Sequence, residues 1–179
     1  AHIKEALDSI SDVDSMEVLR GLEGDSAKQY FDAIDKLILK NKDVFKMTCR
    51  NRRPPLDPMN ALLSFLYSML TNEVKSSLEA TGLDPYVGYM HTDRPGRPSL
   101  ALDMMEELRS PMADRLALKT INLGRIRPGD FHTDENGACS LTSEGRDKVL
   151  TFWQEEKKAT VMHGYISEVV EWGLVPHVQ

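Results

Sequence analysis

Asp57-Pro58-Met59-Asn60-Ala61-Leu62-Leu63-Ser64-Phe65-Leu66-Tyr67-Ser68-Met69-Leu70-Thr71-Asn72-Glu73-Val74 is the stretch whose reading decides the fold. Asp57 followed by Pro58 is a helix start, because a carboxylate caps free backbone N–H groups and proline suits the first helical position. Pro54 and Pro55 keep that helix from extending backwards. From Met59 to Val74 apolar side chains fall on nearly every face, the pattern of a helix buried all round. Such a helix needs other helices about it, and the flanking sequence supplies them, so the chain reads as mainly α. Asn60 and Glu73 then become polar groups in or near a core, where each requires a partner. A carboxylate so placed is protonated, ion-paired or bound to a metal. Asn60 and Tyr67 are assigned to packing and hydrogen bonding around Glu73.

Towards the C-terminus, Gly82 closes this helix and Leu83-Asp84-Pro85-Tyr86-Val87-Gly88 makes a tight corner that delivers Tyr89-Met90-His91. A loop carrying Arg94 and Arg97 follows, with both arginines expected to be exposed. The next helix runs from about Ser99 to Arg109 and is expected to stop at Ser110-Pro111. Asp103 and Glu106 share one of its faces, and like charges at that spacing call for a neutralising cation. Pro111 opens another helix, closed by Gly124. Asp130 to Leu141 reads as a small β-hairpin with Asn136-Gly137 at its turn. Thr142 or Ser143 caps a further helix that ends on Lys157 and Lys158. The last segment, Tyr165 to Gln179, is read as partly helical.

Towards the N-terminus, Ile3 to Ile10 reads as a short amphipathic helix, and Asp14 to Asn41 carries apolar residues at helical spacing. Gly21 and Gly24 within Leu19-Arg-Gly-Leu-Glu-Gly24 suggest a bend or a close approach of backbones. Between Lys40 and Arg53 stand Lys40, Lys42, Lys46, Arg50, Arg52 and Arg53 against only Asp43. That segment is either a phosphate grip or a solvated helix end and loop. No repeat or low-complexity linker interrupts the chain. The fold expected is a single helical domain over residues 1–179 with one small hairpin, truncated at both ends.

Composition limits the function. With 41% hydrophobic and 28% charged residues the chain is globular, no apolar run approaches the ~20 residues of a membrane span, and the N-terminus is not a signal peptide. Cys49 and Cys139 stand too far apart for a zinc or redox motif, so a reducing cytoplasm is expected. A net charge of −6 excludes indiscriminate coating of nucleic acid. No Ser-His-Asp pattern, phosphate-cradling Gly-rich loop or cysteine cluster occurs. Two readings remain for the stretch from Asp57 to Arg109. One is a divalent-metal site acting on phosphodiesters, with Glu73, His91 and Glu106 as ligands. The other is a helical core with a satisfied Glu, a surface His and a solvated acidic face. A zinc hydrolase centred on His91 is disfavoured, because catalytic zinc usually has two or more His or Cys ligands.

The ordered set Leu19-Arg-Gly-Leu-Glu-Gly24 with Tyr30-Phe31, Asp57-Pro-Met-Asn-Ala-Leu-Leu63 with Tyr67 and Asn72-Glu73, Gly82-Leu-Asp-Pro85 with Gly88-Tyr-Met-His91, Arg97-Pro-Ser-Leu-Ala-Leu-Asp103 with Glu106-Glu-Leu-Arg109, and Leu141-Thr with Glu144-Gly-Arg146 resembles the CRISPR-associated integrases. The resemblance covers nearly the whole chain. It implies the C-terminal helical catalytic domain of that family, without its N-terminal β-rich domain. It implies a prokaryotic, metal-dependent DNA endonuclease and integrase that inserts new spacer DNA into a CRISPR array. The metal ligands it implies are Glu73, His91 and Glu106, with Asp103 as an acidic helper and competitor for the third position. Mg²⁺ or Mn²⁺ suits that donor set. Arg94, Arg97, Lys157 and Lys158 are the implied DNA contacts. The implied partners are DNA, a second copy in a homodimer, a small ferredoxin-like adaptation protein and, in one subtype, an iron-sulfur nuclease. The alternative is a helical scaffold without independent catalysis.

Overall fold

The computed structural model describes residues 15–91 and 94–158, together with Lys4, Ile10 and the backbone of two strands beyond Lys158. The helix expected over Ile3 to Ile10 lies outside the described residues. Helix α1 (Met16–Lys36) is capped by the Ser15 hydroxyl, which accepts from the Val18 N–H at 3.3 Å. It runs unbroken through Gly21 and Gly24, so the expected bend is absent. A short α2 (Lys42–Phe45) follows, and then α3 (Pro58–Ala80), the long apolar helix. As its sequence requires, Asp57 accepts the Asn60 N–H at 2.8 Å and Pro58 occupies the first turn.

Helix α3 is the axis of the core. Met59, Leu62, Leu63, Leu66, Leu70 and Val74 are fully buried, each worth about 1.5–3 kcal/mol of transfer free energy. Asn60 is also fully buried, and its partners lie at the start of the helix rather than around Glu73. Its amide donates to the Cys49 carbonyl at 2.8 Å, and its carbonyl accepts from Arg50 Nη1 at 2.7 Å and the Asn51 N–H at 3.1 Å. Asn60 therefore pins the loop that precedes α3. Gly82 terminates the helix in the left-handed conformation, φ +81°, as the sequence indicates.

Helix α4 (Ser99–Leu108) packs on α3, with Thr71 Oγ1 2.9 Å from Met105 Sδ. The corner before it caps its N-terminus, because the Pro85 carbonyl accepts the Leu100 and Ala101 N–H groups at 3.0 and 3.2 Å. Gly88 makes that closure possible: a Cβ there would stand 2.6 Å from Ser99 Cβ. Gly88→Ala is therefore expected to destabilise the protein by about 1–3 kcal/mol through overpacking. A denaturant midpoint equal to wild type would contradict this.

The helix does not stop at Ser110-Pro111 as expected. A π-helical turn, Arg109–Asp114, carries it into α5 (Arg115–Asn122). Proline lacks the N–H and crowds the preceding turn, and the wider i to i+5 turn accommodates both defects. Strands β1 (Phe131–Thr133) and β2 (Cys139–Leu141) then form the expected antiparallel hairpin, with Gly137 left-handed in its turn. Helix α6 (Ser143–Lys157) is capped by Thr142 and buries Val149 and Trp153 against the core. Beyond it, β3 (Thr160–His163) and β4 (Glu168–Glu171) pair as a second antiparallel hairpin. Where the sequence suggests partial helix after Tyr165, the described residues form a strand. The adjacent β-branched Val169 and Val170 suit that pairing. No helix among the described residues is long and apolar enough to cross a membrane.

Candidate active-site cleft

The corner built by Gly82 to Gly88 sets His91 beside α4, and Asp103 holds it there. Asp103 Oδ2 accepts the Tyr89 and Met90 N–H groups at 2.6 and 3.0 Å. Its Oδ1 accepts the His91 N–H at 3.0 Å and lies 2.6 Å from His91 Nδ1. Burial pushes the Asp103 carboxyl up, but the His91 ring and the three backbone donors outweigh it and hold the group below the usual carboxylate range. An ionised carboxylate only accepts, so Nδ1 carries a proton and Nε2 is the ring nitrogen left facing away from Asp103. Both Asp103 oxygens are spent on these donors. Asp103 thus orients His91 and the backbone that carries it.

His91, Asp103 and Glu106 line one cleft of about 440 Å³ together with Arg20, Glu23 and Arg97. Arg20 ties α1 to this corner, donating from Nη2 to the Met90 carbonyl at 3.4 Å. Glu73 does not line the cleft. Thr71 faces α4, and a residue two positions further lies about 200° around the helix axis, so Glu73 points to the other side. There its carboxylate pairs with Lys157 at the end of α6. The carboxylate that the fold offers beside His91 and Glu106 is Glu23, from α1. Lys157, expected at DNA, is engaged by Glu73, whereas Lys158 is exposed.

In the sequence Gly21 and Gly24 suggest a bend or a close approach of backbones, and the acid between them has no role there. The structure gives the two glycines another meaning. A Cβ at either would meet nothing within 4 Å, so no packing explains residues that each cost a helix interior about 0.5–1 kcal/mol. Their bareness leaves the α1 surface beside Arg20 and Glu23 open to close approach from outside. An acid between two uncompensated helix glycines was the available signal.

A second cleft, of about 800 Å³, adjoins the first through Arg97. Arg52, Arg53, Arg94 and Arg97 line it with Ser68, Thr71 and Asn72, and no carboxylate does. The basic segment from Lys40 to Arg53 therefore divides. Arg50 is turned inward onto Asn60, Ser64 and the Tyr67 ring, while Arg52 and Arg53 face outward into this groove. Arg94 is exposed as expected, but Arg97 is half-buried between the two clefts.

The family model described as CRISPR associated protein Cas1 matches residues 1–155. The chain belongs to the Cas1 family. A curated relative, the CRISPR-associated endonuclease Cas1 2 of Rhodospirillum rubrum, is 47% identical over 185 residues, which cover 99% of this chain and 54% of the relative. The chain spans about half the length of the curated Cas1 proteins it matches. Among solved structures, a casposase bound to its integration product has a TM-score of 0.84 at 27% identity, over 95% of this chain and 47% of that one. A Cas6-RT-Cas1–Cas2 complex matches with a TM-score of 0.79 at 25% identity, over 98% of this chain and 19% of that chain.

Behind the cleft of this Cas1 chain lies a polar network that the sequence does not announce. Asp114, 2% exposed, accepts the Tyr67 hydroxyl at 2.5 Å and the Tyr30 hydroxyl at 2.8 Å. Burial pushes the Tyr30 hydroxyl up to about 12 and the Tyr67 hydroxyl higher still, so both remain donors. Arg109 stacks over the Tyr67 ring, 4.4 Å from its centroid, and pairs with Glu106. Among the described residues no three His, Cys, Asp or Glu side chains stand close enough to hold a metal ion. Glu106 is turned to Arg109, and with that carboxylate committed the donor set is not gathered.

Proposed function

We propose that this chain carries the catalytic site of a divalent-metal-dependent DNA integrase and endonuclease that joins new spacer DNA to a CRISPR array. The observation that carries the reading is one cleft lined by Glu23, His91 and Glu106, with Asp103 behind the imidazole and an arginine groove opening into it at Arg97. The casposase seen with its integration product and the relative named an endonuclease support the same chemistry.

Two carboxylates and an imidazole Nε2 form a donor set suited to Mn²⁺ or Mg²⁺, and Glu23, His91 and Glu106 are the residues that would hold the ion. When bound, such an ion polarises a phosphoryl oxygen and favours the attacking hydroxylate. The chain's own residues do the rest. Asp103 fixes the His91 tautomer, and Arg20 and Arg97 offer guanidinium donors to phosphate oxygens at the cleft. In the joining step a DNA 3′-oxygen attacks phosphorus and the leaving 3′-oxygen of the repeat departs with the proton. One phosphoester forms as one breaks, so no nucleotide is consumed. With water as nucleophile the same site nicks DNA.

The groove of Arg52, Arg53, Arg94 and Arg97 is the path for the DNA backbone. A homodimer, and a Cas2 protein like the one in the matched Cas1–Cas2 complex, complete the working assembly in this reading. The reading is tested by strand transfer on branched DNA, with product expected in Mn²⁺ and none in EDTA. Product that persists in EDTA would contradict it. Arg52→Ala with Arg53→Ala is expected to weaken DNA binding uniformly across sequences and to reduce the salt dependence, log K against log salt, by roughly 1 per arginine. Fluorescence anisotropy over a salt series measures this, and an unchanged slope would remove the groove from the DNA path.

A further inference from the structure

Glu106 stands between two hollows. On one side is the cleft with His91. On the other is a smaller one of about 300 Å³, lined by Glu23, Tyr30, Glu106, Arg109, Ser110 and Asp114. The Glu106 carboxylate is paired on the second side, with Arg109. Arg109 is itself held at its base. Its guanidinium lies on the Tyr67 ring, and that ring is fixed by the Tyr67 hydroxyl on buried Asp114, which Tyr30 also grips. The π turn puts Arg109 and Asp114 on the same side of the helix, where both meet Tyr67. Turns of this kind are local irregularities that recur at functional sites. The pair is half-open to solvent, with Glu106 38% and Arg109 20% exposed at the side chain, so its members can exchange partners.

We infer that Arg109 is a resident counter-ion whose exchange couples metal binding to DNA binding at this cleft. The inference rests on the reading of Glu106 as a metal ligand. An ion in the His91 cleft draws Glu106 over and competes with Arg109 for its Oε2, and the displaced guanidinium, still anchored at Tyr67, receives a phosphate oxygen of the DNA. Conversely, a phosphate that recruits Arg109 frees Glu106 for the ion. Linkage makes the effect reciprocal, so each ligand tightens the other by the same factor. Arg109 is in this sense a positioning residue for Glu106, with Tyr67 and Asp114 as its base.

The test is the Mn²⁺ affinity of the protein, by calorimetry, with and without branched DNA that lacks the attacking 3′-hydroxyl. Without DNA, Arg109→Gln is expected to tighten Mn²⁺ binding several-fold, because the competing cation is gone. With DNA, wild type should gain about tenfold, within the usual range of such couplings, and Arg109→Gln should lose most of that gain. Arg109→Lys, which keeps the charge but loses the planar stack on Tyr67, should fall between wild type and Arg109→Gln without DNA. Unchanged or weaker Mn²⁺ binding in folded Arg109→Gln, or an undiminished gain from DNA, overturns the exchange. Glu106→Gln separates this from failure of the site itself: if it leaves Mn²⁺ binding unchanged, the ligand assignment is wrong. Should Arg109→Gln not fold, the wild-type protein answers the question. The Arg109 side-chain ¹⁵N resonance, assigned with Arg109→Lys, must move on Mg²⁺ addition, and a stationary resonance overturns the proposal.

Discussion

Glu23→Gln is expected to lower Mn²⁺-dependent strand transfer by more than ~100-fold while leaving the fold intact. Losing a supporting contact around a metal already costs roughly 10–100-fold, and a direct anionic ligand weighs more. Glu23 is exposed on α1, so the amide costs little stability, and circular dichroism and the denaturant midpoint should match wild type. Glu73→Gln supplies the contrast. Its carboxylate pairs with Lys157 away from the cleft, so activity should remain within about twofold and stability should fall by about 1 kcal/mol at most. The reverse outcome, an inactive Glu73→Gln with an active Glu23→Gln, would return the site to the carboxylate on α3.

The second large effect is expected at Asp103. Asp103→Asn replaces an acceptor-only group by one that must present an NH₂ to a set of backbone N–H donors. Either the Tyr89 and Met90 N–H groups or the His91 N–H and ring lose their acceptor, and the imidazole, no longer facing a carboxylate, is free to change tautomer and turn its Nε2 away from the cleft. The expected loss is about 10–100-fold in Mn²⁺ affinity and strand transfer, the range for a group that orients a metal-binding histidine. The pH dependence of stability follows from the same contacts. The folded Asp103 carboxyl is held below the usual range, so its stabilising contribution is complete above the unfolded value near 4. It is lost as pH falls through the lower folded value. Unfolding free energy should therefore decline less steeply below about pH 4 in Asp103→Asn than in wild type. Parallel declines would show that Asp103 is not the clamp on this corner.

The parts of the fold written in local sequence are those the chain announces. The α3 start at Asp57-Pro58, its burial, the left-handed Gly82 and the hairpin turn at Gly137 each follow from residues within a few positions of one another. His91, Asp103 and Glu106 were legible as a group for the same reason, since one corner and one helix turn join them. Glu73 misled because an apolar helix made its carboxylate look unpaired. Its partner, Lys157, is 84 residues away, and no local pattern reports it. Glu23 is the mirror case. It lies on an ordinary exposed helix face, and only the docking of α1 against the His91 corner brings it to the cleft. The π turn was hidden by a Ser-Pro pair that normally ends a helix, and Arg50 by a basic run in which one member turned inward to serve Asn60.

In the proposed metal site Glu23, and not Glu73, is the carboxylate that joins His91 and Glu106. Anomalous diffraction at the manganese edge from crystals of this protein soaked in Mn²⁺ tests it most directly. The strongest peak is expected among Glu23, His91 Nε2 and Glu106, about 2.0–2.3 Å from the ligating atoms. A peak at Glu73 in place of Lys157, with the His91 cleft empty, would contradict it.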